Sequence, residues 1–237
     1  MKNRSYQPEL LDADDIPTKD LYRNLLELNF INTYLGGHKI TLDGVKYFLN
    51  TNIRFITDET ISIADVGCGG GDNLKAIAQW ARKKKFKLQL VGIDIKPDCI
   101  AYAQENCKSF PEIKFICSDY QMVETEFDII FSALFCHHLN DEELVQYLQW
   151  CSEHSLVGFF INDLHRYPLA YHSIKYLTQW FSKSYLVKND AALSVKRGFL
   201  SAEWKEYFEK ANIEHIKIDW KWAFRHLIVS KKYTSNG

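Results

Sequence analysis

Residues Asp65-Val66-Gly67-Cys68-Gly69-Gly70-Gly71-Asp72 stand where the apolar run Ile61-Ser62-Ile63-Ala64 gives way to helical spacing. A strand that ends on glycines and opens a helix constrains the chain towards an α/β sheet with a ligand crevice at the strand ends. Glycines at such a turn permit positive φ and leave no Cβ in the way. A guest can then lie against bare peptide at a helix start whose N–H groups are unpaired. The guest this turn predicts is a nucleotide-like cofactor.

From that turn onward strand-like and helix-like patterns alternate. Strands are predicted at 61–65, 88–93, 113–117, 127–131 and 156–161, which favours a parallel sheet covered by helices on both faces. Leu74, Ile77, Ala78 and Ala81 keep helical spacing, Pro97 suits a first helical turn, and Asn140 with Glu143 forms a capping-box-like start. The chain closes with Ile213 to Trp220 and Phe224 to Ser230, two strands joined at Lys221-Trp222-Ala223 that read as an antiparallel pair. Before the first strand, Pro17-Thr18 introduces a helix with Leu21, Leu25 and Leu28 on one face. Gly36-Gly37 stops it, and a second amphipathic segment carries Leu42, Val45, Phe48 and Leu49. The first sixteen residues are polar and read as loose. The 237 residues thus divide into an N-terminal helical cap segment, 1–60, and one cofactor-binding domain, 61–237. The helical preface would either cap the cofactor cleft or cover a sheet edge.

Charge and cysteine usage exclude several classes. Twenty-nine basic against thirty acidic side chains leave a formal charge of -1, so no global field attracts a phosphate backbone and nucleic acid is not an expected partner. The basic run Arg82-Lys83-Lys84-Lys85 closes a helical pattern, where cations complement the dipole in water. Cys68, Cys99, Cys107, Cys117, Cys136 and Cys151 include no C-x-x-C pair, so they read as reduced thiols and not as a disulfide frame or zinc site. No metal is assigned. The polar N-terminus and the lack of any run near the roughly twenty apolar residues of a membrane span make a cytoplasmic protein the expectation.

The glycine spacing separates two cofactor types. A dinucleotide site wants G-x-G-x-x-G, but counting from Gly67 places Asp72 at the third glycine, where a carboxylate would repel a pyrophosphate. A cofactor with an ammonium group and no phosphate meets no such repulsion. With Val91-Gly92-Ile93-Asp94 following at the expected distance, the chain from about Ile61 to Ser230 resembles the class I S-adenosylmethionine-dependent methyltransferases. The resemblance implies a Rossmann-like, mostly parallel seven-stranded sheet, five parallel strands completed by the terminal antiparallel hairpin. It further implies that Asp65, Gly67, Cys68, Gly69, Gly71, Asp72, Asn73 and Ser132 surround the methionine half of S-adenosyl-L-methionine. Asp94 would accept from both ribose hydroxyls, Ile95 would pack on the adenine, and Asp119 and Tyr120 would meet its amino group and ring. S-adenosyl-L-homocysteine would be the product.

Within the class the chain is most similar to the small-molecule, ubiquinone/menaquinone-biosynthesis-like methyltransferases. That implies methyl transfer to a hydroxyl, or a ring carbon, of a small aromatic or lipid-like metabolite. Deprotonating such a hydroxyl needs a base, and His137 and His165 follow the fourth and fifth strands at the binding rim, while His138 reads as a packing residue. The segment 163–200 breaks the alternation with an aromatic and basic insertion, read as a substrate lid. Arg166, Tyr171, His172 and Arg197 are its candidate substrate residues. Its aromatics would line a pocket, or form the stripe of a lid helix. Three other readings stay open: an RNA or protein methyltransferase, which the near-neutral charge disfavours; a non-catalytic cofactor-binding module; and a nicotinamide oxidoreductase.

Overall fold

The computed structural model describes residues 1–13, 15–51 and 59–232. The end of the expected cap segment, 52–58, lies outside the described residues. Two helices come first, α1 (Thr18–Tyr34) and α2 (Gly37–Thr51). The sheet then alternates as expected: β1 (Ile61–Val66), α3 (Asp72–Lys84), β2 (Leu88–Asp94), α4 (Pro97–Asn106), β3 (Ile113–Cys117), β4 (Phe127–Ala133), α5 (Asp141–His154) and β5 (Ser155–Leu164). The insertion forms α6 (Pro168–Phe181) and α7 (Tyr185–Arg197), and the chain continues through α8 (Ser201–Lys210), β6 (Ile216–Lys221) and β7 (Arg225–Lys231).

The seven strands run in the order β3-β2-β1-β4-β5-β7-β6. The first five are parallel, and β7 enters antiparallel between β5 and β6. Because β1 lies between β2 and β4, the direction of winding reverses beside it and opens a crevice beyond its C-terminal end.

Period-two alternation puts a core on each face of the sheet. Ile61 and Ile63 join Leu90, Ile129 and Phe160 beneath α2 and α3, where Phe48, Leu74 and Ile77 fill the layer. Ala64 and Val66 join Ile93, Ile130 and Ile161 beneath α5 and α8, where Tyr147, Leu148, Trp204 and Phe208 fill the other. Burying a side chain the size of Phe48 or Leu74 contributes about 1.5–3 kcal/mol. The two helices of the preface therefore differ in role. α2 covers a sheet face, with Phe48 against Phe160 at 6.3 Å between ring centroids, whereas α1 packs over the crevice.

Two expectations are overturned. The polar N-terminus is not loose: Arg4 is buried and donates to the carbonyls of His137 (3.2 Å), Leu139 (2.6 Å) and Arg197 (2.8 Å). Leu10 and Leu11 donate their N–H groups to Asp190 at 2.9 Å each. Long-range pairing of a few polar groups thus anchors a segment that has no apolar periodicity. The insertion's aromatics do not wall a pocket either. Tyr176, Trp180 and Phe181 are 60%, 81% and 76% exposed, because the inner side of α6 and α7 is occupied by smaller residues such as Ile174, Leu177, Val187 and Ala191.

Candidate functional site

Two cavities lie side by side at the C-terminal rim of the sheet. The first, about 420 Å³, follows the glycine turn from Gly67 to Asn73, then Asp94 to Lys96, Asp119 and Tyr120. The second, about 350 Å³, lies between α1, α6, α7 and the β6–β7 turn. They share the wall residues Leu11, Leu28, Asn32, Leu134 and His138.

The glycine turn is built as its sequence requires. Gly67, Gly69 and Gly71 have φ of 71°, 50° and 74°, a region open to glycine at no steric cost. A Cβ at Gly67 would run into the Phe135 ring, whereas one at Gly69 would meet only Leu25, at 3.7 Å. The turn is held from β2: Asp94 accepts from the Gly69 N–H and the Lys96 N–H, both at 2.9 Å. Burial raises the Asp94 carboxyl above its ordinary range, and those two backbone donors pull the other way.

Asp65 carries the clearest vacancy for a donor. It is the penultimate residue of β1, is fully buried, and neither carboxylate oxygen has a hydrogen-bond partner among the described residues. Burial, then the nearby Asp94 and Asp72, push its carboxyl far above the usual range. An unpaired buried acid of this kind is destabilising unless a cation or donor arrives. Along the same wall Asn73 Oδ1 lies 2.8 Å from His38 Nδ1, whose Nε2 lies 2.9 Å from Asn29 Oδ1. At the far end Ile95 is 65% exposed on the cavity and Tyr120 packs edge-on to Phe135. Asp119 caps a short 3₁₀ turn by accepting from Gln121 N–H at 3.0 Å, and its carboxylate also lines the cavity. The unpaired Asp65 carboxylate behind a bare peptide turn fits an ammonium, the Asp94 carboxylate a sugar, and the exposed Ile95 face a purine.

The second cavity is mostly apolar, and Glu9, His137 and His138 stand at or beside the seam. His137 is buried and its Nδ1 lies 2.7 Å from Asp163 Oδ1; His138 Nδ1 lies 2.7 Å from Asp12 Oδ1. His138 holds the Asp12 carboxyl at about 2 against the opposing effect of burial, and His137 likewise keeps Asp163 low despite complete burial. An ionised carboxylate only accepts, so each Nδ1 carries its proton and each Nε2 is turned to the third member, Glu9. His137 Nε2 is 3.7 Å from Glu9 Oε1 and His138 Nε2 is 4.0 Å from Glu9 Oε2. Burial raises Glu9 to about 7, and among the described residues its Oε1 has no hydrogen-bond partner. Arg225, also in the cavity lining, is buried and donates to Asn32 Oδ1 at 2.7 Å, and its Nε has no partner among the described residues. Leu134 marks the seam itself. It takes φ 57°, a left-handed conformation that costs on the order of 1 kcal/mol or more, and donates its N–H to Asn162 O at 2.9 Å.

The sequence-derived residues fall into three groups. Gly67, Cys68, Gly69, Asp72, Asn73, Asp94, Ile95, Asp119 and Tyr120 all line the first cavity, and His137 lines the second. Asp65, Gly71 and Ser132 stand behind the first wall: Gly71 caps α3, and Ser132 Oγ lies 3.6 Å from Cys136 Sγ. His165, Arg166, Tyr171, His172 and Arg197 line neither cavity, which corrects the reading of the insertion. The His165 ring packs between Tyr167 and His226, and burial with Arg166 lowers its pKa. Arg166 and Arg197 turn inward to hold the chain: Arg166 donates to Gly198 O at 2.6 Å, and Arg197 to His137 O and His138 O at 2.8 Å. Tyr171 sits under Lys196 at 4.8 Å and edge-on to His172, which is exposed. His138, read as packing, lies instead at the junction of both cavities.

Several contributors carried no sequence signal. Glu9, Asp12, Asn32 and Arg225 come from a polar tail, the side of an amphipathic helix and a strand start; only the contrast between Leu28 and the intervening asparagines of α1 hints at a polar cleft wall.

Comparison with known proteins follows the same lines. Residues 63–155 match a family model described as a methyltransferase domain. The chain is 33% identical over 84 residues to a mitochondrial ubiquinone biosynthesis O-methyltransferase of Saccharomyces cerevisiae, covering 34% of this chain and 26% of that protein. It is 33% identical over 94 residues to a carboxy-S-adenosyl-L-methionine synthase of Helicobacter pylori, covering 40% of this chain and 38% of that one. The match thus spans between a quarter and two fifths of these relatives. In three dimensions the chain is similar to a SAM-dependent methyltransferase from Aquifex aeolicus, with TM-score 0.62, 14% identity and coverage of 92% and 99%. It is also similar to magnesium protoporphyrin IX methyltransferase from Synechocystis PCC 6803 with bound SAM, with TM-score 0.61, 11% identity and 94% of each chain covered. At such identities the likeness is one of fold.

Proposed function

We propose that this chain, whose residues 63–155 match a methyltransferase-domain model, is a class I S-adenosylmethionine-dependent methyltransferase that methylates a hydroxyl of a small, largely apolar metabolite. The observation that carries this reading is the pair of cavities meeting at Leu134 and His138, one glycine-walled and lined by acids, the other mostly apolar with Glu9, His137 and His138 at or beside the meeting point. Bound S-adenosylmethionine would supply an activated methyl group on a sulfonium. The protein's share is to bind, align and exclude water, and alignment alone can contribute about 7–11 kcal/mol.

Asp65, with two unpaired oxygens, receives the cofactor's ammonium through the glycine turn, and Asp94 accepts from the ribose hydroxyls. Ile95 and Tyr120 cover the purine while Asp119 accepts from its amine. This threads the methionine end towards Leu134, at the mouth of the second cavity. There the aliphatic wall of α1, α6 and α7 takes the acceptor's body. Its hydroxyl is set against His137, His138 and Glu9, which accept its proton, and Arg225 favours the developing oxyanion. An acidic hydroxyl, phenolic or enolic, fits this placement best. A cavity of about 350 Å³ suits a metabolite and has no room for a folded macromolecule.

Calorimetry with S-adenosylhomocysteine and with NAD, followed by labelled methyl transfer to phenols, quinol precursors and RNA, tests the reading. Binding of S-adenosylhomocysteine and label in a small hydroxylated acceptor are expected. NAD binding without S-adenosylhomocysteine binding, or label confined to RNA, overturns it.

A further inference from the structure

Glu9, His137 and His138 do more than line a cavity: they present one carboxylate and two imidazole nitrogens to a common point. We infer that this cluster is a site for one first-row divalent transition cation, which holds and activates the acceptor hydroxyl; the inference rests on the methyl-transfer reading above. Three observations carry it. The first is convergence: one donor atom from each residue lies within 4.8 Å of the others, and the Glu9 oxygens stand 3.7 and 4.0 Å from the two Nε2 atoms. A cation with ligand bonds of roughly 2.0–2.2 Å spaces its tetrahedral donors about 3.4 Å apart, so donors that now lie within 4.8 Å of one another would draw together by at most about 1.4 Å to close the set.

The second is the outer shell. Each imidazole is fixed through Nδ1 by its own carboxylate at 2.7 Å, His137 by Asp163 and His138 by Asp12. Carboxylate–imidazole pairs of this form set the tautomer and aim the Nε2 lone pair at a metal. Two neighbouring histidines held alike, with both Nε2 atoms turned to one acid, are hard to explain as packing alone. The third is an orphaned acceptor: Glu9 is buried, and its Oε1 has no hydrogen-bond partner among the described residues. Arg197 pairs with Asp12 at 3.1 Å and stands 3.9 Å from Glu9, which offsets part of the negative charge of Glu9, Asp12 and Asp163 but not all of it.

All three ligands border the acceptor cavity, so a fourth position faces the substrate. There the acceptor's hydroxyl oxygen would coordinate and release its proton to water, the three side chains then acting as ligands in place of the proton acceptors they are in the metal-free reading. The oxyanion would form the new C–O bond to the methyl carbon as the carbon–sulfur bond breaks, with that pair of electrons returning to sulfur. The nitrogen donors favour zinc or cobalt over magnesium.

The test uses the full chain stripped with a chelator, then titrated with ZnCl2, CoCl2 and MgCl2 under native mass spectrometry and calorimetry, with visible absorption for cobalt. One zinc or cobalt per chain is expected, with an intense visible cobalt band. Glu9→Gln and His138→Gln should each weaken binding at least tenfold, Asp12→Asn by about 10–100-fold, and His165→Gln, outside the cluster, should leave it unchanged. S-adenosylhomocysteine affinity, measured on every sample, reports that each variant is folded. No stoichiometric binding, binding of magnesium alone, or zinc affinity indifferent to Glu9→Gln and His138→Gln overturns the site. Full turnover of the stripped protein overturns the cation and leaves methyl transfer standing. Bound zinc in a protein that takes no S-adenosylhomocysteine instead removes the role given to the cation.

Discussion

Replacing Asp94 by Ala gives the sharpest check on the cofactor cavity. Its carboxylate is mostly buried at the end of β2, braced by the Gly69 and Lys96 N–H groups at 2.9 Å, and its outer edge lines the cavity. If it accepts from both ribose hydroxyls, the substitution removes two charge-assisted hydrogen bonds, each worth about 1.5–3 kcal/mol. Water regained by the freed hydroxyls offsets part of that. A net loss of roughly 2–4 kcal/mol follows, or about 30- to 700-fold in Kd. The bracing of the glycine turn is lost with and without ligand, so it largely cancels. Calorimetry with S-adenosylhomocysteine reads the loss, and an analogue lacking both ribose hydroxyls isolates its origin, since wild type and Asp94→Ala should bind it within about threefold. An S-adenosylhomocysteine affinity in a folded Asp94→Ala protein that stays within threefold of wild type would refute the assignment. An equal loss for the analogue would trace the effect to the turn and not to the sugar.

Asp65→Asn should weaken S-adenosylhomocysteine binding at least tenfold while leaving the unliganded melting temperature unchanged or higher, because the wild-type acid is buried without a partner; a lower melting temperature with intact affinity would make Asp65 structural. Burial, with His165 beside it, depresses His226 to about 4 from 6.5, so the unfolded chain binds the proton more readily. Its contribution is therefore complete above pH 6.5 and is lost as pH falls towards 4, by up to roughly 3 kcal/mol. Urea midpoints across that window should fall less steeply in His226→Gln, and parallel profiles would contradict the sign. Ala191→Phe fills the second cavity and should raise acceptor KM at least tenfold with S-adenosylhomocysteine affinity unchanged; an unchanged KM would move the acceptor elsewhere. His138→Gln should slow turnover by about a hundredfold or more. His165→Gln should stay within threefold, and the reverse order would restore the insertion's histidine to the chemistry.

Local spacing along the chain already encodes much of the frame. Strand runs near 61, 88, 113, 127 and 156, the glycine turn and the acid at 94 each depend on neighbours within a few residues, and α3 and β2 appear where those patterns place them. The same holds for the first cavity, since consecutive strands must end at one rim and so bring Gly67, Asp94 and Asp119 together. The second cavity depends on contacts between residues far apart in the chain. Buried Arg4 fastens the N-terminal segment across the sheet end, which carries Glu9 and Asp12 to His137 and His138. Neither periodicity nor composition marks such residues, because their burial is stabilised by partners more than a hundred positions away. The insertion shows the converse: its conspicuous aromatics and arginines drew attention by type. Packing turned Trp180 and Phe181 outward and set Arg166 and Arg197 to hold backbone carbonyls. Only the assembled tertiary structure decides which side of a helix becomes a wall, because that choice depends on what the rest of the chain brings against it.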